Sequence, residues 1–235
     1  MTGLSRRPTL PSMTRSWTTL DAADTPDGRL ELRQRGEDDF LITLDGRILM
    51  NSRANRSELA LGELAAQATS PNRTPRILIG GLGMGCTLRA ALDALPPAAE
   101  VVVAEINADV VRWCAGPLGP LTAHSTSDDR VQVELSDVSD SIAAASQSGK
   151  GYDAIALDLY EGPHQGSQSP SGRHFTKPAL LAMRRALRSR GTLAVWTEHR
   201  DAAFERQLRS AGFSFEVQRP GRGGLRHAIY LARSR

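Results

Sequence analysis

Large apolar side chains alternate with polar ones between residues 29 and 50, which is typical of strands with one buried face. Asp45-Gly46 separates two of these runs, and Gly readily adopts the positive φ that a two-residue hairpin turn requires. A second turn is expected at 35–38. The pattern therefore predicts a small antiparallel β-meander, with apolar positions at Leu30, Leu32, Phe40, Ile42, Leu44, Ile48 and Met50.

The alternation gives way to helical spacing between Ser57 and Ala68, and the pattern changes again after Pro75. From there, apolar runs typical of buried parallel strands alternate with helical stretches. The predicted strands are 76–80, 100–105, 131–135, 153–158 and 192–197, and the predicted helices are 87–95, 108–114, 178–188 and 202–211. An antiparallel pair, 214–218 and 228–231, is expected at one sheet edge. We expect an α/β fold whose mostly parallel sheet has helices on both faces.

The 235 residues suffice for one large α/β domain with a small additional element. We expect a disordered tail over residues 1–25, a β-hairpin element over residues 26–52 and a single large domain over residues 53–235. No apolar run approaches the length of a membrane helix, and residues 1–20 lack the apolar stretch of a signal peptide. A cytoplasmic protein without a membrane partner is therefore expected.

A glycine-rich loop, Gly80-Gly-Leu-Gly-Met-Gly85, follows the first buried strand and precedes a helix. Glycines in this place let the backbone approach a ligand, and the helix start presents free N–H groups. Glu105 ends the next strand, where an acid can accept hydrogen bonds from both hydroxyls of a ribose. A tight turn and an exposed strand-end acid are the alternatives. Together the two features predict a nucleoside site.

A second chemical segment begins where the fourth strand ends, at Asp158. An acid that follows an apolar parallel strand lies at the edge of the sheet where ligands bind. Tyr160 and Glu161 come next, followed by a Gly-, Ser-, His- and Pro-rich stretch that is long enough for a mobile lid. His164 and His174 lie in that stretch and are candidates for catalysis, with surface positions as the alternative.

These motifs, in this order, resemble the spermidine synthase family of polyamine aminopropyltransferases, from about Arg29 to the C-terminus. Residues 77–85 are similar to the family's glycine loop and residues 103–107 to its ribose-binding strand. Residues 158–163 resemble the segment in which two Asp residues bind and deprotonate the acceptor amine. The resemblance implies a Rossmann-like fold of the class I S-adenosylmethionine-dependent methyltransferase type.

The resemblance also implies roles for individual residues. The nucleoside would lie against Glu105 and against the loop glycines Gly80, Gly81, Gly83 and Gly85. Asp137, which follows the third strand, would accept a hydrogen bond from the adenine amino group, and a helix N-cap is the alternative. Asp158 would take the first carboxylate role and Glu161 the second, as the base, with Tyr160 as a further catalytic candidate.

The chain departs from the family pattern at positions that bind substrate. Gly83 replaces an Asp that, in the family, holds the amino group of decarboxylated S-adenosylmethionine and repels the carboxylate of the intact molecule. Leu61 and Gly62 stand where a polyamine-binding Tyr and His are expected. The resemblance therefore supports the fold more strongly than it supports a polyamine substrate.

Charge and cysteine content bear on whether the protein binds nucleic acid or a metal ion. From Arg173 to Arg235 there are fourteen Lys or Arg residues and four acids, a balance that could suit RNA. Aromatic residues are not interleaved with these arginines as a base-stacking platform would require, so a solvated surface is expected and nucleic acid is not an expected partner. Cys86 and Cys114 suit packed helices, and no Cys/His spacing resembles a metal site.

The expected function is a spermidine synthase-like transfer of an aminopropyl group to a small amine acceptor, with S-adenosylmethionine or its decarboxylated form as co-substrate and no metal. The alternative is an S-adenosylmethionine-dependent methyltransferase that acts on a small molecule. An RNA-modification protein and a non-catalytic nucleoside sensor are less favoured, and a homodimer is left open.

Overall fold

The computed structural model of the protein describes residues 16–70, 72–159, 170–220 and 227–234. The chain divides into two compact units, one that ends at Arg53 and one that runs from Ala54 to Arg235. No helix in the described part of the chain is both long and apolar enough to cross a membrane.

The first unit is a four-stranded antiparallel sheet in the order β1-β2-β3-β4, so the predicted meander is confirmed. Asp45 and Gly46 both have positive φ, 48° and 78°, as the predicted two-residue hairpin turn requires. The strand bounds are β1 Thr18–Thr25, β2 Gly28–Arg35, β3 Asp39–Leu44 and β4 Arg47–Asn51.

Strand β1 corrects the expected extent of the disordered tail, because residues 18–25 are paired with β2. Its sequence, Thr-Thr-Leu-Asp-Ala-Ala-Asp-Thr, contains a single large apolar residue, Leu20, at a place where the strand register shifts. An edge strand can be polar on both faces, since backbone pairing rather than side-chain burial holds it. Residues 1–15 of the predicted tail lie outside the described residues.

The second unit is built around a seven-stranded sheet in the order β10-β11-β9-β8-β5-β6-β7. Five of these strands are parallel, and β11 and β10 pair antiparallel at one edge, as predicted. The strands are β5 Arg76–Gly80, β6 Glu100–Glu105, β7 Val131–Leu135, β8 Tyr152–Leu157, β9 Leu187–Thr197, β10 Phe213–Gln218 and β11 Ala228–Ser234. The helices are α1 Arg56–Gln67, α2 Cys86–Ala94, α3 Ala108–Ala115, α4 Val138–Ser148, α5 Lys177–Ala186 and α6 Ala202–Ser210.

Helix α4 is an element that the hydrophobic pattern did not predict. Its sequence, Val-Ser-Asp-Ser-Ile-Ala-Ala-Ala-Ser-Gln-Ser, has only Val138 and Ile142 as large apolar residues. Small side chains suffice here because the buried face of α4 includes Ser141 and Ala145, next to α5. Strand β9 is likewise longer than predicted, since α5 ends at Ala186 and the chain turns directly into the sheet.

The position of β5 determines where a ligand can bind. Strand β5 lies between β6 and β8, and the chain passes from β5 through α2 to β6 on one side and returns later to β8 on the other. Ligands of open α/β sheets bind at such a reversal, outside the carboxyl ends of the strands. The glycine loop and Asp158 both follow strands that end there.

Candidate active site

The glycine loop joins β5 to α2 and lies directly against the end of β8. The backbone N–H of Asp158 donates to the Gly80 carbonyl at 2.9 Å. Gly81 has a φ of +88°, and a Cβ there would lie 2.5 Å from the Asp158 carbonyl oxygen. Only glycine fits this approach. Gly85 begins α2 without a side-chain cap, so the helix start keeps N–H groups available for a ligand.

Glu105 is tied to the glycine loop by its carboxylate. Oε2 accepts from the backbone N–H of Leu82 at 2.9 Å, and Oε1 accepts from that of Asn107 at 2.8 Å. The residue is 8% exposed. Burial raises the pKa of the Glu105 carboxyl, and backbone N–H groups counter part of that rise. Because each carboxylate oxygen has two acceptor sites, Glu105 can still accept hydrogen bonds from a ligand.

Two apolar side chains next to Glu105 were missed by the sequence analysis. Ile106 is 67% exposed and Leu135 is 61% exposed, unusually high fractions for large apolar residues in this protein. Glu105 and Leu135 are paired in register between β6 and β7. The signal in the sequence was an apolar residue directly after the strand-ending acid. An exposed apolar pair beside hydrogen-bonding groups suits a flat heterocycle.

Asp137 is the N-cap of α4, which was the alternative for this residue. Its Oδ1 accepts from the Ser139 backbone N–H at 2.8 Å, and Arg173 donates to its Oδ2. Burial on its own would raise the pKa of Asp137, but the Ser139 hydrogen bonds, His174 and Arg173 outweigh it, and the pKa is lowered. Asp137 is therefore ionised at neutral pH and near Ser136, whose buried hydroxyl has no hydrogen-bond partner among the described residues.

His174 is buried and does not lie on the surface. Its Nδ1 lies 3.0 Å from the Ser139 hydroxyl, and its Nε2 lies 3.8 Å from Asp137 Oδ1. Burial lowers the pKa of His174, with Asp137 acting in the opposite direction. The structure therefore brings His174 to the Asp137 end of the sheet, next to α4.

Asp158 follows β8 and accepts a hydrogen bond from the Thr87 hydroxyl at 2.6 Å. Burial, together with the charge of Glu58, raises the pKa of Asp158 to about 7, although the Thr87 hydrogen bond opposes the shift. At neutral pH this carboxyl is therefore divided between its protonated and ionised forms. A carboxyl in that state can both accept a proton and bind a cation.

Helix α1 brings a second carboxylate to the same place, which the sequence analysis had treated only as a helix start. The Thr87 hydroxyl that bonds Asp158 also lies 3.2 Å from the backbone oxygen of Glu58. Ser57, beside it, donates to Glu58 Oε2 at 2.7 Å and lies 2.8 Å from His227 Nδ1. The signal was present as Ser57-Glu58, but their partners come from distant parts of the chain.

The positions that departed from the family pattern in α1 are used for packing. Leu61 is fully buried. A Cβ at Gly62 would lie 2.2 Å from the Thr87 backbone oxygen, so α1 and α2 touch backbone to backbone. Neither residue can contact a ligand as a Tyr or His would.

The remaining predicted groups do not add to the site. Tyr160, Glu161 and His164 lie outside the described residues. Cys86 and Cys114 are buried free thiols, and burial raises the pKa of Cys86 to about 11 and that of Cys114 to about 12. Both therefore stay protonated and poorly nucleophilic at neutral pH. In the described part of the chain, no group of three or more His, Cys, Asp or Glu side chains could hold a metal ion.

Comparison with known proteins identifies the fold. No family model matches the sequence, and no curated protein matches it. The spermidine synthase of Thermotoga maritima is similar, with a TM-score of 0.69 over 92% of this chain and 72% of that chain, at 17% identity. A spermidine synthase in complex with the transition state analogue AdoDATO gives a TM-score of 0.70 over 92% and 73%, at 16% identity.

A methyltransferase is similar as well. Human methyltransferase-like protein 13 in complex with SAH gives a TM-score of 0.57 over 78% of this chain and 82% of that chain, at 21% identity. These similarities confirm the predicted fold, an α/β domain with an N-terminal β-meander that spermidine synthases share.

Proposed function

We propose that the protein is a transferase that moves a carbon group from a sulfonium nucleoside, S-adenosylmethionine or its decarboxylated form, to an amine. The observation that carries the proposal is the position of Asp158. Its backbone contacts Gly80 and Gly81 of the glycine loop, and its carboxyl has a pKa of about 7. A proton acceptor with a pKa near neutrality, next to a cofactor loop, is what an amine-alkylating enzyme needs.

The residues around the loop fit an adenosine group. Glu105 would accept hydrogen bonds from the ribose hydroxyls with the acceptor sites that Leu82 and Asn107 leave free. Ile106 would pack against the adenine ring, and Asp137 would accept from its amino group. Gly80, Gly81, Gly83 and Gly85 would let the loop backbone approach the rest of the nucleoside closely.

The acceptor would lie on the side of Asp158. The amine nitrogen donates its lone pair to the carbon on the sulfonium, the new N–C bond forms as the C–S bond breaks, and sulfur keeps the bonding pair as a neutral thioether. Sulfonium is already a good leaving group, so the protein mainly orients the amine and takes its proton. Asp158 would hold the ammonium and, with its pKa of about 7, is one candidate to receive the proton. Glu161, the base that the family resemblance implies, is the other candidate, and Tyr160 is a further one.

Aminopropyl transfer is the first form of this proposal, because the overall fold is similar to spermidine synthases over 92% of this chain. Methyl transfer is the second, and one residue favours it. Gly83 stands where the family has an Asp, so the negative charge that would repel the carboxylate of intact S-adenosylmethionine is absent at this position.

Thermal unfolding of the full chain with each nucleoside tests both forms, since a ligand that binds only the folded state raises its stability with affinity. We expect intact S-adenosylmethionine to stabilise the protein at least as well as the decarboxylated form. Gly83→Asp should reverse the preference through like-charge repulsion. No stabilisation by either nucleoside, in a folded protein, would refute the proposed function.

A further inference from the structure

A chain of hydrogen bonds links β11 to the acceptor side of the site through α1. Ser57 is 4% exposed, and its hydroxyl lies between two partners, Glu58 Oε2 at 2.7 Å and His227 Nδ1 at 2.8 Å. His227 is 170 residues away in sequence and directly precedes β11. Catalysis by Asp158 and Glu161, as proposed above, does not use this chain.

The chemistry of the three groups fixes the direction of each hydrogen bond. The Ser57 hydroxyl has a single proton, which it donates to Glu58 Oε2. The Ser57 oxygen then has only acceptor capacity left, and His227 Nδ1 must donate to it. His227 therefore carries a proton on Nδ1, since the bond at one ring nitrogen decides the tautomer.

The imidazole is held in place from a second direction. The His227 ring meets the Trp196 ring edge to face, with centroids 4.9 Å apart. Trp196 lies on β9, and its neighbour Thr197 pairs with Ala228, the residue after His227. The sheet thus fixes the ring that donates to Ser57.

Glu58 connects this chain to Asp158. The Thr87 hydroxyl contacts both the Glu58 backbone oxygen and the Asp158 carboxyl. The charge of Glu58 also acts on Asp158 through space. A change in the direction of the Glu58 carboxylate therefore alters the electrostatic environment of Asp158, the group that would hold the acceptor.

We propose that His227, through Ser57, is a positioning residue of the acceptor side, which directs the Glu58 carboxylate so that Glu58 and Asp158 together attract a protonated primary amine. The inference rests on the proposed function. It adds a second carboxylate, Glu58, for the amine, and a hydrogen-bonded chain that orients it.

Nitrogen NMR of the imidazole tests the hydrogen-bonded chain without any substrate. In the wild-type protein we expect His227 as the Nδ1–H tautomer, and in Ser57→Ala a shift toward Nε2–H, the form that predominates in free histidine. A wild-type Nε2–H tautomer would overturn the proposal whatever the enzyme's activity.

Kinetics with 1,4-diaminobutane and the preferred nucleoside test the role of the chain. His227→Phe keeps a ring against Trp196 but loses the donor, whereas His227→Asn keeps a donor near the Nδ1 position. The loss of one such hydrogen bond corresponds to roughly a 3–10-fold effect. We expect His227→Phe to raise the amine KM by that factor with little change in kcat, and His227→Asn to stay near wild type.

Nucleoside affinity serves as the reference measurement. Equal damage by both His227 variants, or a loss of nucleoside binding, would indicate a merely structural residue and overturn the inference. A protein that binds neither nucleoside contradicts the proposed function and, with it, the role on the acceptor side. Normal nucleoside binding and transfer with an unchanged amine KM in His227→Phe contradicts the inference alone.

Discussion

The proposed nucleoside side and the proposed acceptor side of the site both contain carboxylates, but these carboxylates have different hydrogen-bond partners. Backbone N–H groups bond Glu105 and Asp137, and Arg173 adds a cation to Asp137. Asp158 is bonded by the hydroxyl of Thr87, and among the described residues no Lys or Arg contributes to its pKa. Its neighbour Glu58 is another acid.

This difference suits two tasks: Glu105 and Asp137 are suited to holding a ligand, and Asp158 is suited to exchanging a proton with one. Carboxylates that accept fixed backbone N–H groups are preorganised and keep their geometry when the uncharged adenosine group of the nucleoside binds. A buried carboxyl next to a like charge resists ionisation, so its protonation can change within the neutral pH range. On this proposal, the same residue type serves as a rigid acceptor after β6 and β7 and as a titrating group after β8.

Replacing Asp158 should have the largest effect. Asp158→Asn keeps the size and one acceptor for Thr87 but neither binds a cation nor takes up a proton. We expect turnover with an amine to fall on the order of 10²–10⁴-fold, the range for a lost acid–base group, with nucleoside affinity nearly unchanged. The rate of single-turnover transfer with saturating ligands measures this loss. The same measurement on Glu161→Gln shows which of the two carboxylates takes the proton.

The melting temperature of the Asp158→Asn variant is the control that distinguishes lost chemistry from a damaged fold. With a pKa of about 7, folded Asp158 keeps a proton that the unfolded chain loses near pH 4, so this group makes the fold less stable as pH rises from about 4 to about 7. The Asn variant lacks this titration and should melt no lower than wild type at about pH 8. A variant that melts lower there would show that the lost turnover reflects a damaged fold.

An intermediate effect is expected on the nucleoside side. Glu105→Ala removes the acceptor for two ribose hydroxyls and should weaken nucleoside binding by about 2–4 kcal/mol, roughly 30- to 1000-fold. Glu100→Ala, at the opposite end of the same strand, is the matched control and should bind normally. Unchanged affinity in a folded Glu105→Ala, measured by isothermal titration, would refute the assigned role.

The smallest effect concerns Arg173, whose contact with Asp137 is exposed. Its guanidinium donates to Asp137 Oδ2 and would compete with the adenine amino group for that oxygen. Arg173→Gln should therefore strengthen nucleoside binding by about 2–5-fold, since exposed ion pairs are worth little. Arg185→Gln, on the exposed face of α5, should leave affinity as it is. Weaker binding by Arg173→Gln would instead mean that Arg173 helps to position Asp137.

Strong local patterns made much of the fold predictable from sequence. Strands β5, β6 and β7 have their predicted bounds because each lies between clear breaks. Strands β5 and β6 are mostly apolar, and β7 alternates apolar residues with Gln132 and Glu134. The glycine loop and Glu105 come together as expected because they follow neighbouring parallel strands. Whether they bind a nucleoside remains a prediction.

The acceptor side could not be predicted in the same way. Ser57 and His227 are joined only because the antiparallel strand β11 returns next to β9 and brings the residue before it to α1. Their shared hydrogen bond has no local signature in the sequence. Strand β1 and helix α4 were missed for a related reason, since pairing and small-residue packing define them rather than large apolar side chains.

The close contact of α1 with α2 at Gly62 limits how this protein could be redesigned. A Gly62→His exchange, the simplest way to restore a polyamine-binding residue, would drive the new side chain into the Thr87 backbone. Thr87 carries the hydroxyl that bonds Asp158, so the exchange would disturb the reactive carboxyl while trying to supply it with a substrate. A larger side chain at position 62 therefore requires a wider spacing between α1 and α2. The acceptor cannot be changed at this position unless one of these helices moves.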